Sequence, residues 1–337
     1  MSDPSSHREI LAPVADGPRP LWSVMIPTYN CAHYLRETLA SVLAQDPGPE
    51  VMQIEVVDDA STLDDPEAVV AELGRGRVGF HRQPRNVGHA RNFRTCLERS
   101  RGEIVHLLHG DDAVVPGFYE RLGAGFATRR DVGAAFCRHV IVMPDNRPVW
   151  TSELERETPG VLENWLERIA VRQLIQTPSI AVRREVYERL GFFDTRLTWS
   201  EDWEMWCRIA ANYPVWYEPE CLAHYRLHEG SSTSNKMRTG ETLRDVRRAA
   251  GIIAGYLPST AARRVWRISM RHWARDALTV RVPILLRDGE IRGGLAQLRE
   301  ALRCDSSAPT LLRAASLAPR FGQAALRALT ERVGQRG

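Results

Sequence analysis

The run Glu103-Ile-Val-His-Leu-Leu-His-Gly-Asp111-Asp112 constrains the fold more than any other stretch, because an apolar segment of strand character stops at two adjacent carboxylates. A parallel strand buried on both faces reads as a nearly continuous apolar run, and open α/β sheets bind ligands beyond the carboxyl ends of their strands. Asp111 and Asp112 are therefore expected at the mouth of a cleft. Two hard carboxylate oxygens there suit a divalent cation that already carries nucleotide phosphates.

Strand and helix signals alternate through the first 140 residues, which is α/β order. Leu21–Pro27 reads as a buried strand, and Leu35, Leu39, Val42 and Leu43 form the stripe of an amphipathic helix. A second strand, Gln53–Val57, runs into Asp58-Asp59-Ala-Ser61, and Asp65-Pro66 opens a helix with Pro near its first position. A short strand at Val78–His81 precedes Arg85-Asn86-Val-Gly88 and a helix bearing Phe93, Cys96 and Leu97. That helix leads into the strand ending at Asp111. A helix to about Arg129, a strand over Val132–Met143, an irregular polar loop over Asp145–Pro159, and helices over Val161–Val171 and Arg183–Leu190 are expected next. In Ser200-Glu-Asp-Trp203-Glu-Met-Trp206-Cys207, the apolar positions share one helical face, with Glu201 and Asp202 in the first turn behind a Ser200 cap. Beyond Ser234 the chain reads as helical and Arg-rich.

Composition narrows the class. With 337 residues, 43% hydrophobic and 26% charged, the chain is long enough for one large domain and an appendage. Its six cysteines have no metal-type spacing, which fits a reducing compartment and small buried side chains. Residues 1–20 are polar and Pro-rich, unlike a signal peptide, and are expected to form a disordered tail. No run approaches the ~18 uninterrupted apolar residues of a membrane span. A cytoplasmic protein is expected. Residues 241–337 hold 18 arginines against eight carboxylates, so the net charge of +3 hides an acidic remainder and a basic C-terminal region. Solvated helix faces account for such a bias, as does attraction to anionic lipid. Nucleic acid is not expected, because no binding motif or repeated aromatic platform accompanies the charge.

Five segments occur in order at strand ends or helix starts: Pro27-Thr-Tyr-Asn30, Val57-Asp58-Asp59-Ala-Ser61, Asn86-Val-Gly88-His-Ala-Arg91-Asn92, His109-Gly-Asp111-Asp112 and Glu201-Asp202-Trp203. Together they resemble family 2 of the inverting glycosyltransferases over roughly residues 21–232. The resemblance implies an α/β GT-A fold, a mixed, mostly parallel sheet flanked by helices, over 21–232, followed by a helical extension over 233–337. It implies nucleotide contacts from Pro27, Thr28, Tyr29, Asp58, Asp59, Asn86, Gly88, Arg91, His109 and Gly110. Backbone donors at the helix entered at Gly88, with Arg91, suit a diphosphate. A carboxylate that accepts from a base N–H favours UDP or dTDP donors, with GDP as the alternative. The family's D-x-D motif is replaced by His109-Gly-Asp111, which retains the metal-ligand position at Asp111 for Mg²⁺ or Mn²⁺, with His228 as a second ligand. Asp202 matches the catalytic base, and Trp199, Glu201 and Trp203 are expected on the sugar or acceptor side. The implied reaction carries a hexosyl or deoxyhexosyl group onto a glycan or lipid-linked acceptor in cell-surface polysaccharide synthesis. A nucleotidyltransferase would place a Gly-rich basic loop after the first strand, where Pro27-Thr-Tyr-Asn30 stands, and a silent binding homologue would be expected to lack Asp111 or Asp202. Arg263, Arg264, Arg267 and Arg271 recur as one basic helical face, an expected peripheral contact with the inner face of the membrane.

Overall fold

The computed structural model describes residues 9–15, 17–228 and 232–334. The chain divides into two compact units. One comprises Met1–Trp165, Leu174–Arg196 and Arg208–Leu227, and the other Leu166–Gln173, Leu197–Cys207 and His228–Gly337.

The first unit is built on a mixed sheet. Strands β1 (Trp22–Thr28) and β2 (Met52–Asp58) are buried along their whole length, as their continuous apolar sequences require. Helix α1 (Ala32–Leu43) buries Leu35, Leu39 and Val42, the stripe expected from sequence. Helix α2 (Pro66–Gly74) begins with Asp65 accepting from the Ala68 N–H and Pro66 in its first turn. There follow β3 (Gly79–Arg82), α3 (His89–Arg99), β4 (Ile104–Leu107), β5 (Ala113–Val114), α4 (Phe118–Thr128), β6 (Ala134–Val142), β7 (Pro148–Thr151) and β8 (Gly160–Val161). Then come α5 (Trp165–Ile169), β9 (Ile180–Arg183), α6 (Arg184–Leu190), α7 (Glu201–Asn212) and β10 (Val215–Arg226). The strand order among the described residues is β3-β2-β1-β4-β9-β6-β10-β5. The first four strands are mutually parallel, and β9 runs antiparallel to both β4 and β6. Thr28 pairs with Asp58, and Asp58 with Arg82, so the loops after β1 and β2 leave the sheet side by side.

Three local expectations are corrected. The strand into the carboxylates ends at Leu107, and His109–Asp111 form a turn before β5. The helix expected over Val161–Val171 shrinks to α5, because Gly160–Val161 pairs with β10 and Asn164 takes a left-handed φ of 52° that no continuing helix tolerates. The loop expected over Asp145–Pro159 contains β7, which forms a hairpin with β6.

In the second unit, α8 (Ser232–Thr239), α9 (Glu241–Ala254) and α10 (Ser259–Asp276) run through a turn of π-helix at Ala277–Arg281 into α11 (Val282–Arg287). Helices α12 (Ile291–Cys304), α13 (Ala308–Ser316) and α14 (Ala318–Gly334) complete it. Leu243, Val246 and Ile253 of α9, with Val265, Met270 and Trp273 of α10, form buried stripes. Among the described residues, no helix is long and apolar enough to cross a membrane.

Candidate active site

The loops after β1 and β2 are stitched into one surface. Asn30 and Ala60 both take left-handed backbone, at φ of 50° and 59°. The Asn30 N–H donates to Ser61 Oγ at 2.8 Å, and its side-chain oxygen accepts from the N–H groups of Thr62 and Leu63. Helix α1 has no side-chain cap of its own, and the Ala32 N–H donates to Asp64 Oδ2 across the gap at 2.7 Å. Asp58 is fully buried. One of its oxygens accepts from Ser61 N and Oγ, and the other from Arg82 Nε at 2.7 Å. Asp59 accepts from the Val87 and Gly88 N–H groups at 2.7 and 2.9 Å, fixing the turn into α3. Burial pushes the Asp59 carboxyl up, and these backbone donors oppose that shift. Gly88 has a φ of 85°, which a side chain rarely adopts, while Tyr29, Asn86 and Arg91 are exposed around this surface.

The turn after β4 lies against the same loops. Gly110 donates to the Pro27 carbonyl at 3.0 Å, and a Cβ there would stand 2.8 Å from Thr28 Oγ1 and 3.1 Å from Cys31 Sγ. Only glycine lets this turn pack so closely on the Thr28 and Cys31 side chains. The His109 ring stacks on Phe93 at 5.2 Å and an interplanar angle of 17°. Its Nδ1 lies 3.4 Å from Asp112 Oδ2. Buried Asp112 accepts from the Arg226 N–H at 2.9 Å, and Arg226 Nε donates to the Asp111 carbonyl at 2.9 Å. The same guanidinium reaches Asn146 Oδ1 at 2.6 Å and Glu37 Oε2 at 2.8 Å, which ties the turn to the β6–β7 hairpin and to α1. Burial, followed by repulsion from Asp111, pushes the Asp112 carboxyl up to about 6.

His109, Asp111 and Asp112 each present a ligand atom, and the three atoms lie within 4.8 Å of one another. Two carboxylates crowded beside an imidazole repel as anions, a strain that a bound cation relieves. The oxygen-rich donor set fits Mg²⁺ or Mn²⁺.

In the second unit, Asp202 lies in the first turn of α7. Its Oδ1 accepts from the Trp203 N–H at 2.6 Å, and its Oδ2 from Gln173 Nε2 at 2.7 Å. The turn ahead of it is held by Asp245 of α9, which accepts from the N–H groups of Thr198, Trp199 and Ser200. Trp203 is enclosed: its indole N–H donates to the Ile169 carbonyl at 2.7 Å, and its ring packs on Trp273. Trp199 is half-buried, edge-on to Trp273 with the Arg281 guanidinium 5.3 Å from its ring centre. Glu201 is buried, and His228 is half-buried.

The first unit thus brings Pro27, Thr28, Gly110, His109 and Asp111 together, with Asp58, Asp59 and Gly88 on the adjoining loops. Asp202, Trp199, Glu201, Trp203 and His228 belong to the second unit. Sequence reasoning missed Arg226, Gln173 and Asp245, the residues that hold these acidic turns. Arg226 lies two residues before His228, but nothing in the chain's local pattern pairs it with Asp111 or Asp112, or links Asp245 to Trp199.

A mixed α/β sheet whose parallel strand ends carry loop carboxylates, with helices appended at the C-terminus, is the GT-A architecture. Residues 23–191 match the model of glycosyl transferase family 2, and the chain belongs to that family of glycosyltransferases. Among curated relatives, it is 26% identical over 237 residues to TuaG of Bacillus subtilis (strain 168), whose description assigns it to teichuronic acid biosynthesis; the match covers 66% of this chain and 85% of TuaG. Among solved structures, TarS 1-349 of S. aureus in complex with UDP-GlcNAc superimposes with a TM-score of 0.62 at 19% identity, over 90% of this chain and 88% of TarS 1-349. The mannosyltransferase PcManGT of Pyrobaculum calidifontis, in complex with GDP-Man and Mn²⁺, gives 0.56 at 20% identity, over 97% and 88% of the two chains.

Proposed function

We propose that this glycosyltransferase takes a hexosyl or deoxyhexosyl group from a nucleoside diphosphate, UDP or dTDP by preference and GDP as the alternative. The group passes, with inversion, to a hydroxyl of a glycan or lipid-linked acceptor in cell-surface polysaccharide synthesis. The observation that carries this reading is the His109–Asp111–Asp112 cluster in the turn after β4, where Gly110 packs on the Thr28 side chain, in a chain of family 2. TuaG supports the polymer assignment, and TarS and PcManGT, each solved with a sugar nucleotide, support the donor class.

In this reading, the loop of Pro27, Thr28 and Tyr29, with Asp58 and Asp59 beneath it, receives the base and ribose. The helix start at Gly88, with Asn86 and Arg91, faces the diphosphate. Asp111, with His109 and Asp112, would hold Mg²⁺ or Mn²⁺, with His228 proposed as a further ligand. A bound cation supplies positive charge to the departing diphosphate. Asp202 takes the proton of the attacking hydroxyl as the new bond forms on the face opposite the leaving group. Gln173 holds one Asp202 oxygen in place. Trp199, with Glu201, lies on the sugar or acceptor side, and Trp203 acts through the packing that fixes the start of α7.

Release of nucleoside diphosphate from a panel of sugar nucleotides, with Mg²⁺, Mn²⁺ or chelator, tests the assignment. Metal-dependent turnover of one donor is expected, abolished in Asp111→Ala and reduced about 10²–10⁴-fold in Asp202→Asn. Unchanged turnover in Asp202→Asn removes that residue as the base, and turnover that survives chelation removes the metal.

A further inference from the structure

The outward side of α10 has a composition that the sugar-transfer reading leaves unused. At 3.6 residues per turn, Arg263, Arg267, Arg271, Arg264, Arg275 and Ile268 fall in an arc of about 140°. All six are exposed, and Trp266 flanks the arc on the side of Arg263. Trp266 is 39% exposed and Ile268 42%. No acidic side chain of α10 lies in the arc, since Asp276, the helix's one carboxylate, turns to Arg281. Glu167 pairs with Arg264, and Asp305 comes within 3.9 Å of Arg271. Arg263, Arg267 and Arg275 have no carboxylate partner among the described residues. The opposite side of the helix, with Val265, Ser269, Met270 and Trp273, is buried, so this orientation is fixed by the core of the second unit.

We infer that this face of α10 docks the protein on an anionic bilayer surface, with the arginines at the level of the lipid phosphates and Trp266 and Ile268 at the two edges entering the headgroup boundary. Charge complementarity supplies the first half of the argument, because basic residues near an anionic leaflet are attracted individually and the attraction decays within a Debye length. The apolar edges supply the second. A hydrated polyanion gains nothing from an exposed indole and a sec-butyl group, whereas a headgroup boundary buries both. The inference goes beyond the donor chemistry and stands whether or not the acceptor is lipid-linked.

Flotation of the full chain with vesicles of phosphatidylcholine alone, or of phosphatidylcholine with phosphatidylglycerol, tests it. Binding is expected to the anionic vesicles only, and to be lost at high salt. Each arginine near the surface contributes about 5-fold, so Arg263→Gln/Arg267→Gln/Arg275→Gln is expected to weaken partitioning on the order of 100-fold. Trp266→Ser/Ile268→Ser is expected to weaken it about 10-fold with the charge intact. Circular dichroism and donor turnover, both unchanged, show that the surface variants remain folded. Absence of wild-type binding to anionic vesicles overturns the inference, as does a triple arginine variant that binds like wild type. An apolar double variant that binds vesicles normally, with a soluble polyanion competing fully, also overturns it and assigns the face to a polyanion instead.

Discussion

The loops after β2 and β4 each carry two adjacent aspartates, and the structure treats the pairs differently. After β2, both carboxylates are consumed within the first unit: Asp58 by Ser61 and Arg82, Asp59 by two N–H groups of the turn into α3. After β4, Asp112 is buried and held by the Arg226 N–H, while the half-exposed Asp111 clusters with Asp112 and His109. The first pair builds a wall by turning its oxygens inward onto Ser61, Arg82 and the backbone of the turn into α3. The second keeps like charges close together, which costs stability and leaves an arrangement that a cation completes. Adjacent carboxylates thus serve as scaffold in one place and as a binding site in the other.

The largest effects should separate the two pairs. Asp111→Asn is expected to lower donor turnover by at least about 10³-fold with little change in the melting temperature, because it removes charge repulsion along with a ligand. Asp59→Asn should do the reverse. An amide can accept only through its single oxygen, so one of the Val87 and Gly88 N–H groups loses its acceptor, at about 1–3 kcal/mol. Donor KM should rise as the turn loosens, with kcat less affected. Urea denaturation and steady-state kinetics on both variants check the contrast. Equal losses of stability and of kcat in the two would erase it.

Arg226 sharpens the comparison, since its N–H donates to the Asp112 carboxylate and its guanidinium to the Asp111 carbonyl. Replacing it with Met keeps much of the volume and the N–H donated to Asp112, but strips the guanidinium from the carbonyls of Asp111 and Met143 and from Glu37 and Asn146. A loss of about 3 kcal/mol is expected, as for breaking a buried ionic network on one side. Arg226→Lys should recover stability only in part, because one ammonium cannot reach the positions the fork spans. If both variants retain full stability and activity, the turn is held by other means.

These contrasts explain what was legible in the chain. β1 and β2 announce themselves because burial on both faces demands unbroken apolar runs, and α1 because its stripe has one period. The identity of the acidic turns was equally plain. Their wiring was not, because Arg226 is 114 residues from Asp112. Asp245 reaches the turn before Asp202 from a later helix, through contacts that no local spacing encodes. β7 was invisible for a different reason. Pro148–Thr151 is exposed at all four positions, so it has no alternation to read, and its existence rests on pairing with β6. α5 failed in the opposite sense: Leu162, Trp165, Leu166 and Ile169 have helical spacing, yet Asn164 leaves the right-handed region between them.

The smallest expected effect concerns two histidines in the strands beneath these loops. His106 of β4 is fully buried and pushed down to about 3 by burial, with its ring nitrogens near Tyr119 Oη and the Pro178 carbonyl. His139 of β6 is pushed down to about 4 by burial, and neither ring nitrogen has a hydrogen-bond partner among the described residues. Each is held neutral in the fold but takes a proton near pH 6.5 once unfolded, so each removes stability as the pH falls from 6.5 towards its folded value. The cost is roughly 1.4 kcal/mol per pH unit per group. Asp112 acts in the opposite sense, because its raised folded value makes the native state the better proton acceptor between about 6 and 3.8. Asp112 therefore offsets part of the loss that the histidines cause, and the informative quantity is a difference between variants. His139→Leu should fill the same space, raise stability in the acid range, and leave stability at neutral pH within about 1 kcal/mol of wild type. Urea midpoints at about pH 7.5 and pH 5, taken in chelator so that no cation alters Asp112, measure it. A parallel shift at both values would mean that His139 contributes only through packing, and that the pH dependence resides in other groups, His106 among them.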